Sequence, residues 1–251
     1  MSVEAKLYHI PYFVSSVTAL CVYELGIEDK VEVVIVGPQE MKDDYHFMKH
    51  PQGKIPFYTE GDDFTLIESS AIMLYLLEKY DAVDKRLTNF ADLHQRGKFY
   101  QFLLNCPSQI YPNFVQLYSY RVLFPEGHPA RNDKMIATSL DVWHLEIAPF
   151  LVAELGSKQY IVGDQFTAAD CLVGYNIVLA EMLGELSEYP TLVAYLERIK
   201  SRPSFTRIFS EENKQYLFTL ERYGDSLERK NKHIQEMRAA RTQRLSEASS
   251  K

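Results

Sequence analysis

The residues best suited to chemistry lie at the start of a predicted helix. Ser69 and Ser70 precede apolar residues at helical spacing, so we predict Ser69 as the N-cap of this helix. The positive end of a helix binds carboxylates through its main-chain amides and nearby hydroxyls. Glu68, one residue earlier, is placed to accept an ammonium group. The pair predicts a site for one end of a zwitterion.

A second chemical feature is the main chain at Ile55. Pro56 opens a predicted strand, where its missing N–H does least harm, and an X–Pro bond in such a place is a candidate cis peptide. That geometry leaves the amide and carbonyl of Ile55 facing outward, where an extended peptide can pair with them as an added strand. Together with Ser69 and Glu68, this edge predicts a site for a small zwitterionic peptide.

The elements that position these residues follow a thioredoxin-like order. Gly61-Asp62-Asp63 is a typical tight hairpin turn, and Gly26 ends the first predicted helix. The predicted strands cover residues 5–10, 31–36, 57–60 and 64–67, and the predicted helices cover 15–26, 43–48 and 69–80. We therefore predict an α/β thioredoxin-like domain over residues 1–80.

Helical periodicity dominates the chain after a polar connection over residues 81–89. The predicted helices cover residues 90–120, 132–155, 167–183 and 191–201. Thr167 and Asp170 form a capping box, in which each side chain bonds the other's main-chain amide, so Asp170 has a structural role. We predict an all-α C-terminal domain over residues 90–209 and a charged extension over 210–251.

Composition limits the classes of function. The chain has 251 residues, of which 46% are hydrophobic, enough for two modest cores. Its 27 basic and 34 acidic residues give a net charge of −7, which argues against nucleic-acid binding. No apolar run approaches a membrane span, and the N-terminus does not resemble a signal peptide, so a cytoplasmic location is expected. Three isolated cysteines, Cys21, Cys106 and Cys171, indicate reduced core thiols and no metal site.

The extension is locally basic, in contrast to the acidic chain. From residue 228 onward, Lys and Arg outnumber Glu, and Glu228 and Lys232 have the i, i+4 spacing of a stabilising ion pair. This pattern predicts a solvated helix that frays into a disordered end. The alternative is a segment that contacts a partner or a membrane surface.

Two groups of motifs resemble the cytosolic glutathione S-transferase superfamily. In the first half they are Gly53-Lys54-Ile55-Pro56 and, after the hairpin, Glu68-Ser69-x-Ala71-Ile72. In the second half they are the capping box, Tyr189-Pro190-x-Leu192 and Arg202-Pro203-x-Phe205. The resemblance covers residues 5–209. It implies the glutathione transferase fold, glutathione as co-substrate, a hydrophobic electrophile as second substrate and a homodimer.

The resemblance also assigns roles to residues near the predicted peptide site. By position, Lys42 and Lys54 match the cations that hold the glycine carboxylate of glutathione. His50 stands where the family commonly has asparagine, either as a ligand or as a surface or capping histidine. Asn105 and Gln109 occupy the region where the family has an acidic residue that contacts glutathione across the dimer interface, so this departure calls into question either the dimer contact or its chemistry.

The family activates the glutathione thiol by hydrogen bonding to its thiolate, because a free thiol titrates near 8.5. The donor is a tyrosine at the end of the first strand or a serine at the start of the first helix. Ser15 is our first prediction and Tyr8 the alternative. Each also has a structural interpretation: Ser15 as an N-cap and Tyr8 as a packed strand residue. The cysteine of thiol-transferring branches is absent, and Tyr12-Phe13-Val14 departs from the family's small or basic residues.

The electrophile pocket implied by the family lies between the two domains. We predict Tyr12, Tyr111 and Tyr118 as pocket residues, although ordinary helix packing explains any single one. The leading functional hypothesis is an enzyme, a glutathione S-transferase. The alternatives are a non-enzymatic scaffold or regulatory module with the same fold, and a glutathione-dependent isomerase or lyase.

Overall fold

A four-stranded mixed sheet forms the first part of the protein. The structure is a computed structural model that describes residues 5–38 and 40–249, with side chains up to residue 244. The strand order is β2-β1-β3-β4, with β1 parallel to β2 and antiparallel to β3. The elements are β1 (Ala5–His9), α1 (Ser16–Leu25), β2 (Val31–Ile35), a 3-10 turn (Glu40–Lys42), α2 (Asp44–Lys49), β3 (Phe57–Glu60), β4 (Phe64–Ile67) and α3 (Ser69–Tyr80). The thioredoxin-like order predicted from the sequence is confirmed.

The two faces of the sheet bury different clusters because neighbouring strand residues point to opposite sides. Leu7 belongs to the large core that α1 and α3 cover, and this core continues into the helical domain. Tyr8 belongs to a smaller cluster on the other face. We call it the sheet-end cluster, and its buried members are Tyr8, Ile10, Val36, Met41, Ile55 and Phe57. The α2 segment borders this cluster, since Tyr45 and His46 pack around Tyr8 and Phe57.

The second part of the described chain is helical. Its elements are α4 (Leu93–Asn105), α5 (Tyr111–Tyr118), α6 (Asp133–Asp141), α7 (Ala148–Leu155), α8 (Ala168–Met182), α9 (Pro190–Lys200), α10 (Pro203–Ile208), a 3-10 turn (Glu212–Tyr216) and α11 (Leu220–Ser249). The predicted helix over 90–120 begins later, at Leu93, because the Asp92 side chain accepts a hydrogen bond from the Gln95 amide and caps it.

The long helices contain wide π turns, which the sequence analysis did not predict. Such turns occur at Cys106–Ile110, Ser119–Leu123 and Val142–Ile147. Pro112 and Pro149 follow the first and the third of these turns. Proline has no N–H and its ring clashes with the carbonyl four residues earlier, so the helix widens there. No proline accounts for the second turn.

The capping box at the start of α8 is confirmed. The buried Asp170 carboxylate accepts hydrogen bonds from the amides of Thr167 and Ile161 and from the Tyr195 hydroxyl, all at 2.9 Å. Burial raises the pKa of Asp170 to about 6, although these donors favour the charged form. Its partners tie three segments of the helical domain together, which fits the structural role predicted for it.

Polar side chains hold the two domains together at α1 and at the linker. Glu24 on α1 pairs with Arg202 at the start of α10, with Nε at 2.8 Å. Asp81, fully buried at the end of α3, accepts hydrogen bonds from the amides of Leu87 and Thr88 at 3.0 and 2.8 Å. The position of the first helix relative to the helical domain is therefore set by specific bonds.

One helical run, Asp133–Leu155, is long and apolar enough by composition to cross a membrane, with a mean hydropathy of 1.3. Trp143, Ile147 and Leu151 on this run belong to the core. Packing within the helical domain therefore accounts for its apolar character. The three cysteines are buried and unpaired, as predicted.

The extension forms a helix, as predicted, but it is not solvated throughout. The α11 helix runs to Ser249, and the predicted disordered end lies outside the described residues. Ser226 is buried, and His233 is partly buried and stacks against α2. This contact was not predicted, and its position matters for the site described next.

Candidate functional site

The hairpin brings the two predicted peptide-binding features to one end of the sheet. Phe57 at the start of β3 pairs with Ile67 at the end of β4. Ile55-Pro56 enters the hairpin and Glu68-Ser69 leaves it at this same end. The Ile55–Pro56 bond is cis, as predicted. Within the described residues, no hydrogen bond to the Ile55 amide or carbonyl is found, so both groups remain available.

Ser69 lies at the helix start, but the prediction that it is the N-cap is wrong. The α3 helix begins at Ser69 itself, and Glu68 holds the N-cap position without a side-chain bond. The Ser69 amide is therefore one of the first amides of the helix, which have no partner in the preceding turn. In the part of the chain that the structure describes, the Ser69 hydroxyl has no protein partner either. The residue keeps its capacity to bind an anion.

Glu68 has an unusual backbone conformation that the sequence analysis missed. Its φ is 73°, in the left-handed region that non-glycine residues rarely adopt. Such a conformation costs about 1 to 3 kcal/mol and is concentrated at functional sites. The strain turns the chain sharply from β4 into α3 and leaves the Glu68 side chain exposed. No local sequence signal indicates it, because glycine or asparagine would be the expected residue.

Three basic side chains surround the turn before Ile55. The Lys42 ammonium donates to the Gly53 carbonyl, and burial together with Lys230 and Lys54 lowers the pKa of Lys42 to about 8. Lys54 is exposed. Among the described residues, no acid forms an ion pair with Lys42 or Lys54. The positive charge here is therefore uncompensated, as a binding site for an anion requires.

His50 is a structural residue of the same turn. It is buried, and its Nδ1 accepts a hydrogen bond from the Gln52 amide at 3.3 Å. Burial and the nearby Lys54 lower the pKa of His50, whereas Glu68 opposes this effect. Of the two interpretations left open by the sequence, the structure favours the capping role.

Ser15, the first choice for the thiol-activating donor, is fully buried and its hydroxyl is occupied. It donates to the Ile10 carbonyl at 3.1 Å, accepts from the Ile10 amide at 3.0 Å and lies 3.0 Å from His9 Nδ1. Burial lowers the pKa of His9 to about 3, so this ring is neutral. Ser15 stands in the N-cap position of α1 but makes no capping bond. It holds the preceding loop together and is not presented to a ligand.

The hydroxyl of Tyr8, the alternative donor, is hydrogen-bonded to an exposed side chain. Its ring stacks on Phe57 at 4.2 Å, and its hydroxyl lies 2.7 Å from that of Tyr45, which is 41% exposed. Burial and the bond to Tyr45 raise the pKa of Tyr8, so its phenol stays protonated at neutral pH. Of the two predicted donors, only Tyr8 is within reach of a solvent-exposed group. Tyr45 itself was not identified from the sequence.

Two of the three predicted pocket residues, Tyr12 and Tyr111, both contact Tyr175 and make internal packing contacts. Tyr12 is buried, with φ of 66°, and donates to the carbonyls of Phe209 and Ser210 at 3.0 and 3.1 Å. Tyr111 packs beside Tyr175, and burial raises its pKa to about 12. Both tyrosines join secondary structure elements, as ordinary packing residues do.

Tyr118, the third predicted pocket residue, lines a cavity. It borders a largely apolar space of about 540 Å³ together with Val122, Pro125 and residues of the extension, including Leu217 and Phe218. The Tyr118 hydroxyl donates to the Phe218 carbonyl at 2.8 Å. The extension therefore forms one wall of this cavity. The apolar run Tyr216-Leu217-Phe218 was the sequence signal that could have indicated this.

Comparison with known families supports the resemblance described from the motifs. Residues 7–84 match the family profile "Glutathione S-transferase, N-terminal domain", and residues 114–203 match "Glutathione S-transferase, C-terminal domain". Together the two matches cover more than half of the chain. The extension lies outside both of them.

Among individual proteins, the chain is similar to the glutathione S-transferase-like protein FUS3 of Gibberella fujikuroi, with 28% identity over 66% of this chain and 78% of that protein. It is also similar to glutathione S-transferase 1 of Schizosaccharomyces pombe, with 24% identity over 76% of this chain and 88% of the relative.

Solved structures show the same fold. Glutathione transferase URE2P6 from Phanerochaete chrysosporium, in complex with oxidized glutathione, superposes with a TM-score of 0.70 at 22% identity, over 85% of this chain and 98% of that one. A Sulfitobacter glutathione transferase homologue with bound glutathione gives a TM-score of 0.66 at 18% identity, over 86% of this chain and all of that one. With both domain profiles matched and the same architecture, the chain belongs to the glutathione S-transferase superfamily.

Proposed function

We propose that this protein is a glutathione transferase, which binds glutathione at the hairpin end and directs its thiolate at a hydrophobic electrophile. The observation that carries the proposal is the convergence of the open Ile55 main chain with the Glu68-Ser69 helix start. An extended tripeptide pairs with Ile55 while its γ-glutamyl carboxylate lies on the Ser69 amide and hydroxyl. Glu68 balances the ammonium group of that same residue.

The other end of the tripeptide accounts for the basic turn. The glycine carboxylate is placed against Lys42 and Lys54, whose charges have no acid partner in the described part of the protein. A carboxylate bound there neutralises the repulsion between the two ammonium groups. The acceptors and donors of the site thus match the charge distribution of glutathione: one ammonium and two separated carboxylates.

We assign thiol activation to Tyr8. A thiolate needs a hydrogen-bond donor that is not itself ionised at neutral pH, and the raised pKa of Tyr8 meets this condition. The Ser15 hydroxyl is occupied by its hydrogen bonds with the amide and carbonyl of Ile10. In the reaction, the thiol proton leaves to water, and the thiolate sulfur forms a bond to the electrophilic carbon as the leaving group departs with its electron pair. Proximity and stabilisation of the anion provide the rate enhancement.

The direct test uses isothermal titration of the purified protein with glutathione, followed by an absorbance assay with 1-chloro-2,4-dinitrobenzene. We expect saturable binding and conjugation above the uncatalysed rate. A protein that neither binds glutathione nor conjugates the aryl chloride would refute the proposal.

A second candidate is a glutathione-binding module without catalytic activity. It is favoured by one observation: the residues at the start of α1 are packed, with Ser15 buried and the Phe13 ring 5.4 Å from that of Phe218. Saturable binding of glutathione with no conjugation of any electrophile in a panel of aryl halides, enals and isothiocyanates would support this second function.

A further inference from the structure

We propose that residues 210–234, here called the C-terminal strap, cover the glutathione groove and must move aside for the tripeptide to bind. This inference rests on the proposed function, since it names how access to that site is regulated. The strap lies outside the residues matched by the two family profiles. It contacts the elements that border the groove at Ser210, at Tyr216 and Phe218, and at His233. Three sets of contacts between the strap and the rest of the protein support this inference.

The first contact fixes the beginning of the strap to the loop before α1. The Tyr12 hydroxyl donates to the carbonyls of Phe209 and Ser210. Tyr12 reaches this position from a left-handed backbone conformation, and its own carbonyl accepts a hydrogen bond from the Tyr175 hydroxyl at 3.2 Å. The strap therefore starts beside the loop from which the family takes its thiol-activating residue.

The second contact places aromatic side chains of the strap against the sheet-end cluster. Tyr216 and Phe218 pack against the sheet-end cluster, which contains Ile55 and Tyr8. The Phe218 ring lies beside Phe13, and the Phe218 carbonyl accepts the Tyr118 hydroxyl. Apolar rings thus pack on the cluster to which Ile55 belongs, the residue with which a peptide would pair. Their removal from water stabilises the closed position.

The third contact lies beside the basic turn that precedes Ile55. The His233 ring stacks on Phe47 with centroids 3.7 Å apart and planes at 7°. Phe47 in turn packs on Gly53, so closely that a Cβ at Gly53 would lie 2.6 Å from the ring. Lys54 and Ile55 follow directly. The strap therefore contacts two borders of the site: the sheet-end cluster through Phe218, and the Phe47–Gly53 contact before Lys54 through His233.

In the closed position, the charged residues of the strap are repelled by some groups of the site and attracted by others. Lys230 lies near Lys42 and Lys54, and none of the three has an acid partner within the described residues. Arg229 is attracted to Asp43, which lies at the start of α2. Because the basic groups repel one another, the aromatic contacts are the principal attachment. A glycine carboxylate that approaches Lys42 has no ion-paired acid to displace there, so the steric cover that the strap provides at Phe218 and His233 limits access.

The test compares the full-length protein with the double variant Phe218→Ala/His233→Ala, which removes both aromatic attachments without altering any residue of the tripeptide site. Met237→Ala is the matched control, because this α11 side chain is 55% exposed. Two measurements are made: titration with glutathione, and hydrogen exchange of residues 13–16 and 53–57 without ligand.

A cover that is open in about 10% of molecules weakens the apparent affinity tenfold. We therefore expect the double variant to bind glutathione about tenfold more tightly, and residues 53–57 to exchange faster even without ligand. In the unaltered protein, glutathione should increase exchange over residues 216–234. The Met237→Ala variant should match the unaltered protein in both measurements.

Equal or weaker binding by the double variant, with unchanged exchange at 53–57, would overturn the proposal and make the strap a fixed wall of the site. If no form binds glutathione, the proposed function fails, while the ligand-free exchange still decides whether the strap covers the groove. The two failures are therefore distinguishable.

Discussion

The hairpin end and the loop before α1 lie next to each other, yet their polar groups are in opposite states. At the hairpin end, the Ile55 main chain, the Ser69 amide and the Lys54 ammonium have no protein partner within the described residues. In the loop, the Ser15 hydroxyl is fully bonded and Phe13 is covered by Phe218. The polar groups of the first region stay unbonded beneath the proposed strap, whereas those of the second are bonded internally. Glutathione binding and thiol activation can therefore be tested separately, each in its own region.

The strongest test of this contrast is to remove the hydroxyl of each predicted donor in turn. We expect Tyr8→Phe to raise the pKa of the bound thiol and to lower the conjugation rate roughly 100-fold, because it removes the donor to the thiolate. The apparent thiol pKa is read from the absorbance of bound thiolate against pH.

Ser15→Ala serves as the matched variant in the loop. It should leave the thiol pKa unchanged and lower the free energy of unfolding by about 1 to 3 kcal/mol, since the buried Ile10 amide loses its partner. A raised thiol pKa in Ser15→Ala with a normal value in Tyr8→Phe would reverse the assignment.

At the hairpin end, Ser69→Ala should weaken glutathione binding by roughly 1 to 3 kcal/mol, the usual cost of leaving a charged partner without its hydrogen bond. Calorimetric titration measures the dissociation constant. Ser70→Ala is the control, because this hydroxyl donates to the Leu103 carbonyl at 2.8 Å and should affect stability alone. An unchanged dissociation constant in Ser69→Ala would remove the proposed carboxylate site.

Variants of Glu68 test whether the strained turn contributes to glutathione binding. Glu68→Gly should raise the free energy of unfolding by about 1 kcal/mol, because glycine adopts the positive φ without steric cost, and should weaken glutathione binding. Glu68→Gln retains the strain and loses only the charge. If both variants bind glutathione as the unaltered protein does, Glu68 is not the partner of the ammonium group.

The smallest expected effect is a pH dependence at Lys42. With a pKa of about 8, Lys42 is a cation below that pH and loses its charge as the pH rises through it. Affinity for S-methylglutathione, which has no titrating thiol, should therefore fall a few-fold between about pH 7 and pH 9. Lys42→Gln should abolish this fall, and Lys230→Gln should move it to higher pH. A fall unaffected by Lys42→Gln would assign it to another group.

Much of the fold was predictable because its signals are local. The hairpin at Gly61, the helix stop at Gly26 and the capping box at Thr167 each depend on residues within a few positions of one another. The open Ile55 edge and the helix start at Ser69 follow from the same hairpin. The error of one residue at the α3 N-cap arose because Glu68 adopts a conformation that its side chain disfavours.

The state of each candidate side chain depended on partners far away in the sequence. Ser15 is bonded to a loop that the Tyr12 and Tyr175 contacts hold in place, and Phe13 meets Phe218 from the other end of the chain. The amino-acid sequence by itself determined the order of elements and indicated a candidate anion site at Ser69. Only the tertiary structure decided which hydroxyl is available and what covers the groove, because burial and contacts between distant segments exist only once the chain is folded.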